Sequence, residues 1–150
     1  MSIQLASIFQ DHAVLQRDRP LPVWGTTAPM VKVRVALGAH AAFALSNAAG
    51  DFLVRLPPLP AGGPHTLTVS VAKTGESLSI RDLLVGEVWL ASGQSNMEMK
   101  LNACLPLTAG AVATADFPQI RFFTVATRAH LGPQRTVEGS WVSATPDAAG

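Results

Sequence analysis

The tightest constraint on this chain is a period-two alternation of apolar and polar residues. In VKVRVAL (31–37), Val31, Val33, Val35 and Leu37 fall on one side and Lys32, Arg34 and Ala36 on the other. Successive side chains of a strand point to opposite faces, so the pattern specifies a strand with one dry and one wet face. DFLVRLP (51–57) places Phe52, Val54 and Leu56 on one face, and HTLTVSV (65–71) does the same with Leu67, Val69 and Val71. PLPVWG (20–25), AAFALSN (41–47) and SLSIRDLLV (77–85) are further strand candidates. NAAGD (47–51) reads as a turn, and PPLPAGGP (57–64) is rich in residues that break strands. Short strands, short turns and no helical period predict an antiparallel, jelly-roll-like β-sandwich over residues 1–84. About seven strands of this length can bury one core between two sheets.

The character changes after residue 85. GEVWLAS (86–92) has little polar content, which predicts a parallel strand covered on both faces. LPLTAGAVATADFP (105–118) is alanine-rich and predicts a helix from about Pro106 to Ala115, with proline suited to its first turn. QIRFFTV (119–125) is another apolar strand candidate. Strand, helix and strand in succession make a βαβ unit with a right-handed crossover. One such unit cannot cover both faces of a sheet, and open α/β sheets carry more strands. Residues 85–150 are therefore expected to be the first, truncated part of an α/β domain, and the chain the N-terminal piece of a longer protein.

Composition removes several classes of function. Charged residues make up 14% of the 150, the formal net charge is +1, and the lysines and arginines are scattered. A nucleic-acid binder usually carries a basic patch or stripe, so nucleic acid is not an expected partner. No apolar run is long enough to span a membrane as a helix. The start, MSIQLASIFQDH, lacks the basic residues and long apolar run of a signal peptide. Cys104 is the one cysteine, so no disulfide forms within the chain, and a small buried hydrophobe is its expected role. Trp24 and Trp89 lie in apolar strand candidates and are expected to pack in a core. His12, His40 and His65 fall at expected strand ends or turns and His130 in an expected loop, which points to surface positions.

The stretch GEVWLASGQSNMEM raises a question of chemistry. A serine nucleophile needs an exposed hydroxyl, a base for its proton and N–H donors for an oxyanion. A sharp turn at the end of a strand would expose Ser95, and Gly93 permits the bend. Glycine two positions before serine matches the front of a G-x-S-x-G elbow, but position 97 is methionine, so that pattern is not met. From these residues alone, a plain turn and a nucleophile both remain open. Glu98 and the other carboxylates have no spacing that ties them to Ser95.

VGEVWLASGQSNMEM resembles the start of the hydrolase domain of the sialate O-acetylesterases, carbohydrate esterases of the wider SGNH superfamily. IFQDHAVLQRDRPLPVWG (8–25), GDFLVRLPPLPAGGPHTLTV (50–69), FPQIRFFTV (117–125) and GSW (139–141) are also similar, so the resemblance covers essentially the whole chain. It implies that Ser95 is the catalytic nucleophile and residues 85–150 the beginning of an SGNH-type α/β hydrolase domain. Gln94 and Asn96 then hold the serine turn or contact substrate; equally, they satisfy turn backbone groups. The implied substrate is an O-acetyl ester on sialic acid or another sugar, with no metal or organic cofactor. The implied location is periplasmic or extracellular. Two positions depart from the family pattern without touching the chemistry: TTAPMVKV (26–33) lacks a glycine before the strand, and Ala91 stands where cysteine is frequent. The family's catalytic aspartate lies three residues before its histidine, and no aspartate in this sequence has that spacing. The remainder of the hydrolase domain is thus an implied partner of these residues. The alternative is a carbohydrate-binding or structural β-sandwich module in which Ser95 is an inert turn residue.

Overall fold

The computed structural model describes residues 2–97, 99–104, 106 and 109–149. Eight strands come first: β1 (Gln4–Leu5), β2 (Val14–Gln16), β3 (Leu21–Thr26), β4 (Lys32–Leu37), β5 (His40–Leu45), β6 (Asp51–Leu56), β7 (Gly62–Val71) and β8 (Glu76–Gly86). Two single 3-10 turns follow, at Ser95–Met97 and Leu101–Cys104, then α1 (Ala109–Ala113), β9 (Phe117–Phe123), β10 (Trp141–Ala144) and α2 (Pro146–Ala149).

The strands up to Gly86 form two sheets, β1-β3-β6 and β2-β8-β7-β4-β5. The alternation read from the sequence is the alternation observed. Val33, Val35 and Leu37 of β4, Phe52, Val54 and Leu56 of β6, and Leu67, Val69 and Val71 of β7 are all buried. Leu21 and Val23 of β3 and Ile80, Leu83 and Val85 of β8 complete one apolar core shared by both sheets. Each fully buried Val or Leu contributes about 1.5–3 kcal/mol, so this common core dominates stability.

The turn at 47–51 follows from its residues. Asn47 Oδ1 accepts from Ala49 N and Asp51 N, both at 2.9 Å. Gly50 has φ 89°, and a Cβ there would meet the Thr27 carbonyl oxygen at 2.3 Å. Glycine is therefore required twice over, by conformation and by space.

Three expectations need correction. The segment 57–64 is not all turn, because Gly62, Gly63 and Pro64 already belong to β7, where the register against β8 shifts. Not every strand pair is antiparallel: β2 runs parallel to β8, pairing Val14 with Leu84 and Gln16 with Gly86. The largest change is the βαβ unit. Residues 87–93 form no strand, and β9 pairs antiparallel with β10, Trp141 opposite Phe123. The described part of the expected helix is the single short α1, while Leu105, Leu107 and Thr108 lie outside the described residues. An apolar run becomes a central parallel strand only when neighbours bond both of its edges and helices cover both faces. Among the described residues nothing supplies those neighbours to 87–93.

The β9-β10 hairpin nevertheless sits on the two-sheet region. Trp141 packs against its core and donates Nε1–H to the Ile8 carbonyl at 2.8 Å. Gln10 Nε2 donates to the Gly139 carbonyl at 3.0 Å, and Val137 N donates to Ser7 Oγ at 3.1 Å. Arg121 of β9 reaches Asp82 of β8 with Nη2 at 3.1 and 3.0 Å from the two carboxylate oxygens, and Nη1 donates to the Asp82 carbonyl.

Candidate active site

Beyond Gly86 the chain runs irregular and exposed into the Ser95 turn. Val88 N is held by Gln16 Oε1 at 2.9 Å, which ties the exit from β8 to β2. Trp89 and Leu90 then stand 87% and 94% exposed, so the expected core role of Trp89 is overturned. Trp24 is 39% exposed and meets Phe9 edge-on at 4.7 Å, a rim position rather than a buried one. Cys104 is half-buried, with Sγ 3.3 Å from Met99 Sδ, rather than a buried hydrophobe.

The turn closes through Met97 N donating to the Gln94 carbonyl at 2.8 Å, and Met99 N approaches the Asn96 carbonyl at 3.4 Å. Gly93 allows the turn to fold back: a Cβ there would lie 2.7 Å from Met97 Cγ. Gln94, Ser95 and Asn96 are all exposed, and among the described residues none of their side chains has a hydrogen-bond partner. The N–H groups of Ser95 and Asn96, at the start of the turn, have no acceptor within it. The structure thus brings together an open hydroxyl, two flanking amides and free N–H donors. It brings no histidine onto Ser95 among the described residues. Glu98 lies outside them.

His12, His40 and His130 are exposed, as the sequence suggested, whereas His65 lies within β7 and is half-buried rather than at a surface strand end. One pairing was invisible to a reading that sought an aspartate three positions from a histidine. His12 Nδ1 lies 2.6 Å from Asp82 Oδ2 across seventy positions of sequence. Asp82 therefore faces His12 and Arg121 together. The hydrogen bond to His12 is the largest influence holding its carboxyl below the usual carboxylate range; partial burial opposes it, and Arg121 adds to it. The positive φ values of His12 (70°) and Asp82 (54°) are the local signature of the two bends that bring them together. Histidine and aspartate tolerate that region better than most side chains.

Comparison with known proteins gives this geometry a context. No family model matches the chain. It is similar to a carbohydrate acetylesterase of Xanthomonas citri whose crystal structure is known, at 43% identity and a TM-score of 0.91, over 99% of this chain and 34% of that one. It is also similar to the sialate O-acetylesterases of Mus musculus, 27% identical over 97% of this chain, and Rattus norvegicus, 28% identical over 83%. The chain spans 29% and 25% of the lengths of those two relatives. The class defined by these likenesses is that of the carbohydrate acetylesterases. Within it, the sialate O-acetylesterases are the curated proteins that the chain resembles.

Proposed function

We propose that this chain carries the nucleophile of a carbohydrate O-acetylesterase, Ser95, and that residues 1–84 form a β-sandwich domain joined to the opening of an SGNH-type hydrolase domain at 85–150. The observation that carries the reading is the Ser95 turn: a hydroxyl exposed and unbonded within a segment similar to the family's nucleophile motif. Gln94 and Asn96 flank it, where they can hold the turn or meet the sugar.

The chemistry is acyl transfer. Ser95 Oγ attacks the acetyl carbonyl, and a histidine base takes the serine proton. The tetrahedral oxyanion is met by N–H donors of the turn. The intermediate collapses, the sugar oxygen leaves with the proton, and acetyl-serine remains. Water then attacks the acyl-enzyme and releases acetate. The base and its aspartate are assigned to further chain of the whole enzyme, since no histidine bonds Ser95 among the described residues. The apolar surface supports this assignment. Val88, Trp89 and Leu90 in one stretch, and Phe117, Ile120 and Phe122 in another, are exposed. Two exposed apolar stretches of this kind suit cover by another part of a larger enzyme. The substrate is an acetyl ester on a sugar, sialic acid or another acetylated carbohydrate.

A serine-directed fluorophosphonate tests the assignment. The whole enzyme should gain one adduct on the peptide containing Ser95, and Ser95→Ala should abolish both adduct and esterase activity. Labelling of another serine with full activity in the variant would overturn it. Residues 1–150 alone should turn over an activated acetate ester barely or not at all. Strong turnover lost in Ser95→Ala would overturn the placing of the base elsewhere.

A further inference from the structure

The outer face of the five-stranded sheet carries a second constellation, remote in sequence from Ser95. On β4, Lys32 and Arg34 point away from the core, because Val33 and Val35, which alternate with them, point in. Strand pairing sets Arg34 beside Phe43 of β5 on one side and Ser70 of β7 on the other, and Ser70 beside Ser77 of β8. Phe43, Arg34, Ser70 and Ser77 therefore form one line across four strands, about 14 Å at the usual strand spacing. These residues border a shallow cleft of about 380 Å³, closed at one end by the tight turn at 72–75 and Glu76. Phe43 is exposed, and the Lys32 ammonium rests 4.4 Å from its ring centroid.

The cleft carries two cations, Lys32 and Arg34, against one carboxylate, Glu76. Among the described residues neither Lys32 nor Arg34 has a carboxylate partner, although the chain as a whole is close to neutral. Glu76 is engaged by Thr74 Oγ1 at 3.1 Å. The Ser70 and Ser77 hydroxyls are unbonded, whereas the neighbouring Thr68 and Ser79 hydroxyls lie 3.5 Å apart. Two cations without a carboxylate partner, one of them against an exposed aromatic ring, and two unbonded hydroxyls suit a ligand that is anionic, has an apolar C–H face and carries several hydroxyls. A peptide carboxylate lacks the hydroxyls, and a nucleic acid would require a longer basic stripe.

We infer that this sheet face binds a carboxylated saccharide, with Arg34 on the carboxylate, Phe43 under a sugar ring and Ser70 and Ser77 on its hydroxyls. Arg34 offers the planar fork that pairs with a carboxylate through two hydrogen bonds. Lys32 shifts from the Phe43 face to its edge and adds charge there. The site goes beyond the esterase reading and does not depend on Ser95: it would hold an acidic glycan whichever residue cleaves the acetyl group.

The experiment is a titration of the ¹⁵N-labelled chain with trigalacturonic acid and with 3′-sialyllactose, using lactose and neutral xylotriose as controls. The acidic probes should shift the amides of Arg34, Phe43, Ser70 and Ser77 at millimolar concentration, and the neutral ones should not. Arg34→Gln should weaken binding about tenfold or more, the size expected for losing a charged hydrogen-bonded partner. Phe43→Ala should weaken it with the fold intact, as seen in the unchanged amides of β7. Ser95→Ala should bind as the parent does, which separates this site from the esterase assignment. Four results would overturn the inference: shifts confined to other surfaces, equal response to neutral sugars, response to a glutamate-rich peptide or an oligonucleotide in place of the sugars, or full binding by Arg34→Gln.

Discussion

Residues up to Gly86 and residues after it are similarly apolar in places, yet they fold on different terms. In the first region the inward set of β4, β6 and β7 is apolar and buried, and the outward set is polar or small except for Leu53, which is exposed. In the second, VWL at 88–90 is more continuously apolar and yet exposed, and the buried apolar residues among those described are Ala115 and Ala144. Apolarity is a demand for cover, and it is met only where a neighbouring strand or sheet is present to supply it. The β9-β10 hairpin shows the intermediate case. Phe117, Ile120 and Phe122 remain exposed, while Trp141 and Arg121 are anchored on the two-sheet region by specific hydrogen bonds.

The sharpest way to break this contrast is truncation of one side chain on each side of it. Leu67→Ala, at a position with no exposure, should lower unfolding free energy by about 2–5 kcal/mol in urea titration. The seam between the regions should show a smaller effect. The Arg121 side chain is only 6% exposed while its partner Asp82 is 39% exposed. Arg121→Ala leaves a partly solvated carboxylate without one charged partner, a loss of about 1–3 kcal/mol. The loss should appear as faster amide exchange in β9 and β10 rather than in β7.

Acid sharpens the same seam. The Asp82 carboxyl titrates below the usual carboxylate range in the folded chain, chiefly through its hydrogen bond to His12 and then through Arg121. Its contribution is therefore fully present above the unfolded carboxylate value, about 4, and is lost as pH falls through the lower folded value. Amide exchange in the hairpin should accelerate over that window. Asp82→Asn, which keeps a residue tolerant of the positive φ, should remove much of that acceleration. The smallest effects belong to the open segment. Trp89→Ala and Ser95→Ala should each leave the unfolding free energy of this chain, read by urea titration, within about 0.5 kcal/mol of the parent. A loss of 2 kcal/mol or more from Trp89→Ala would show that the segment is covered after all.

Much of the fold was legible because strand faces are a local property. Val33, Phe52 and Val69 needed only their neighbours in sequence to declare which way they point. The turn at 47–51 was legible for the same reason, since Asn47 and Gly50 bond and bend within five residues. A turn at Ser95 is observed and it is exposed, although it does not stand at the end of a strand as the sequence led one to expect. The strand expected at 86–92 failed because the same apolar run suits a buried strand or an uncovered segment, and only its neighbours decide between them.

What the sequence by itself determined is therefore the set of strand faces, the turn at 47–51 and the resemblance carried by the residues around Ser95. Tertiary structure alone decided the pairings: β2 lying parallel to β8, β9 turning back on β10, and Asp82 meeting His12 and Arg121 across 70 and 39 positions. It also decided that Lys32, Arg34, Phe43, Ser70 and Ser77 share one open face. The physical reason is the range of the interaction. Side-chain direction is set by the dihedral angles of one residue and its neighbours, whereas a sheet edge or a carboxylate accepts whichever partner the closed loops bring near.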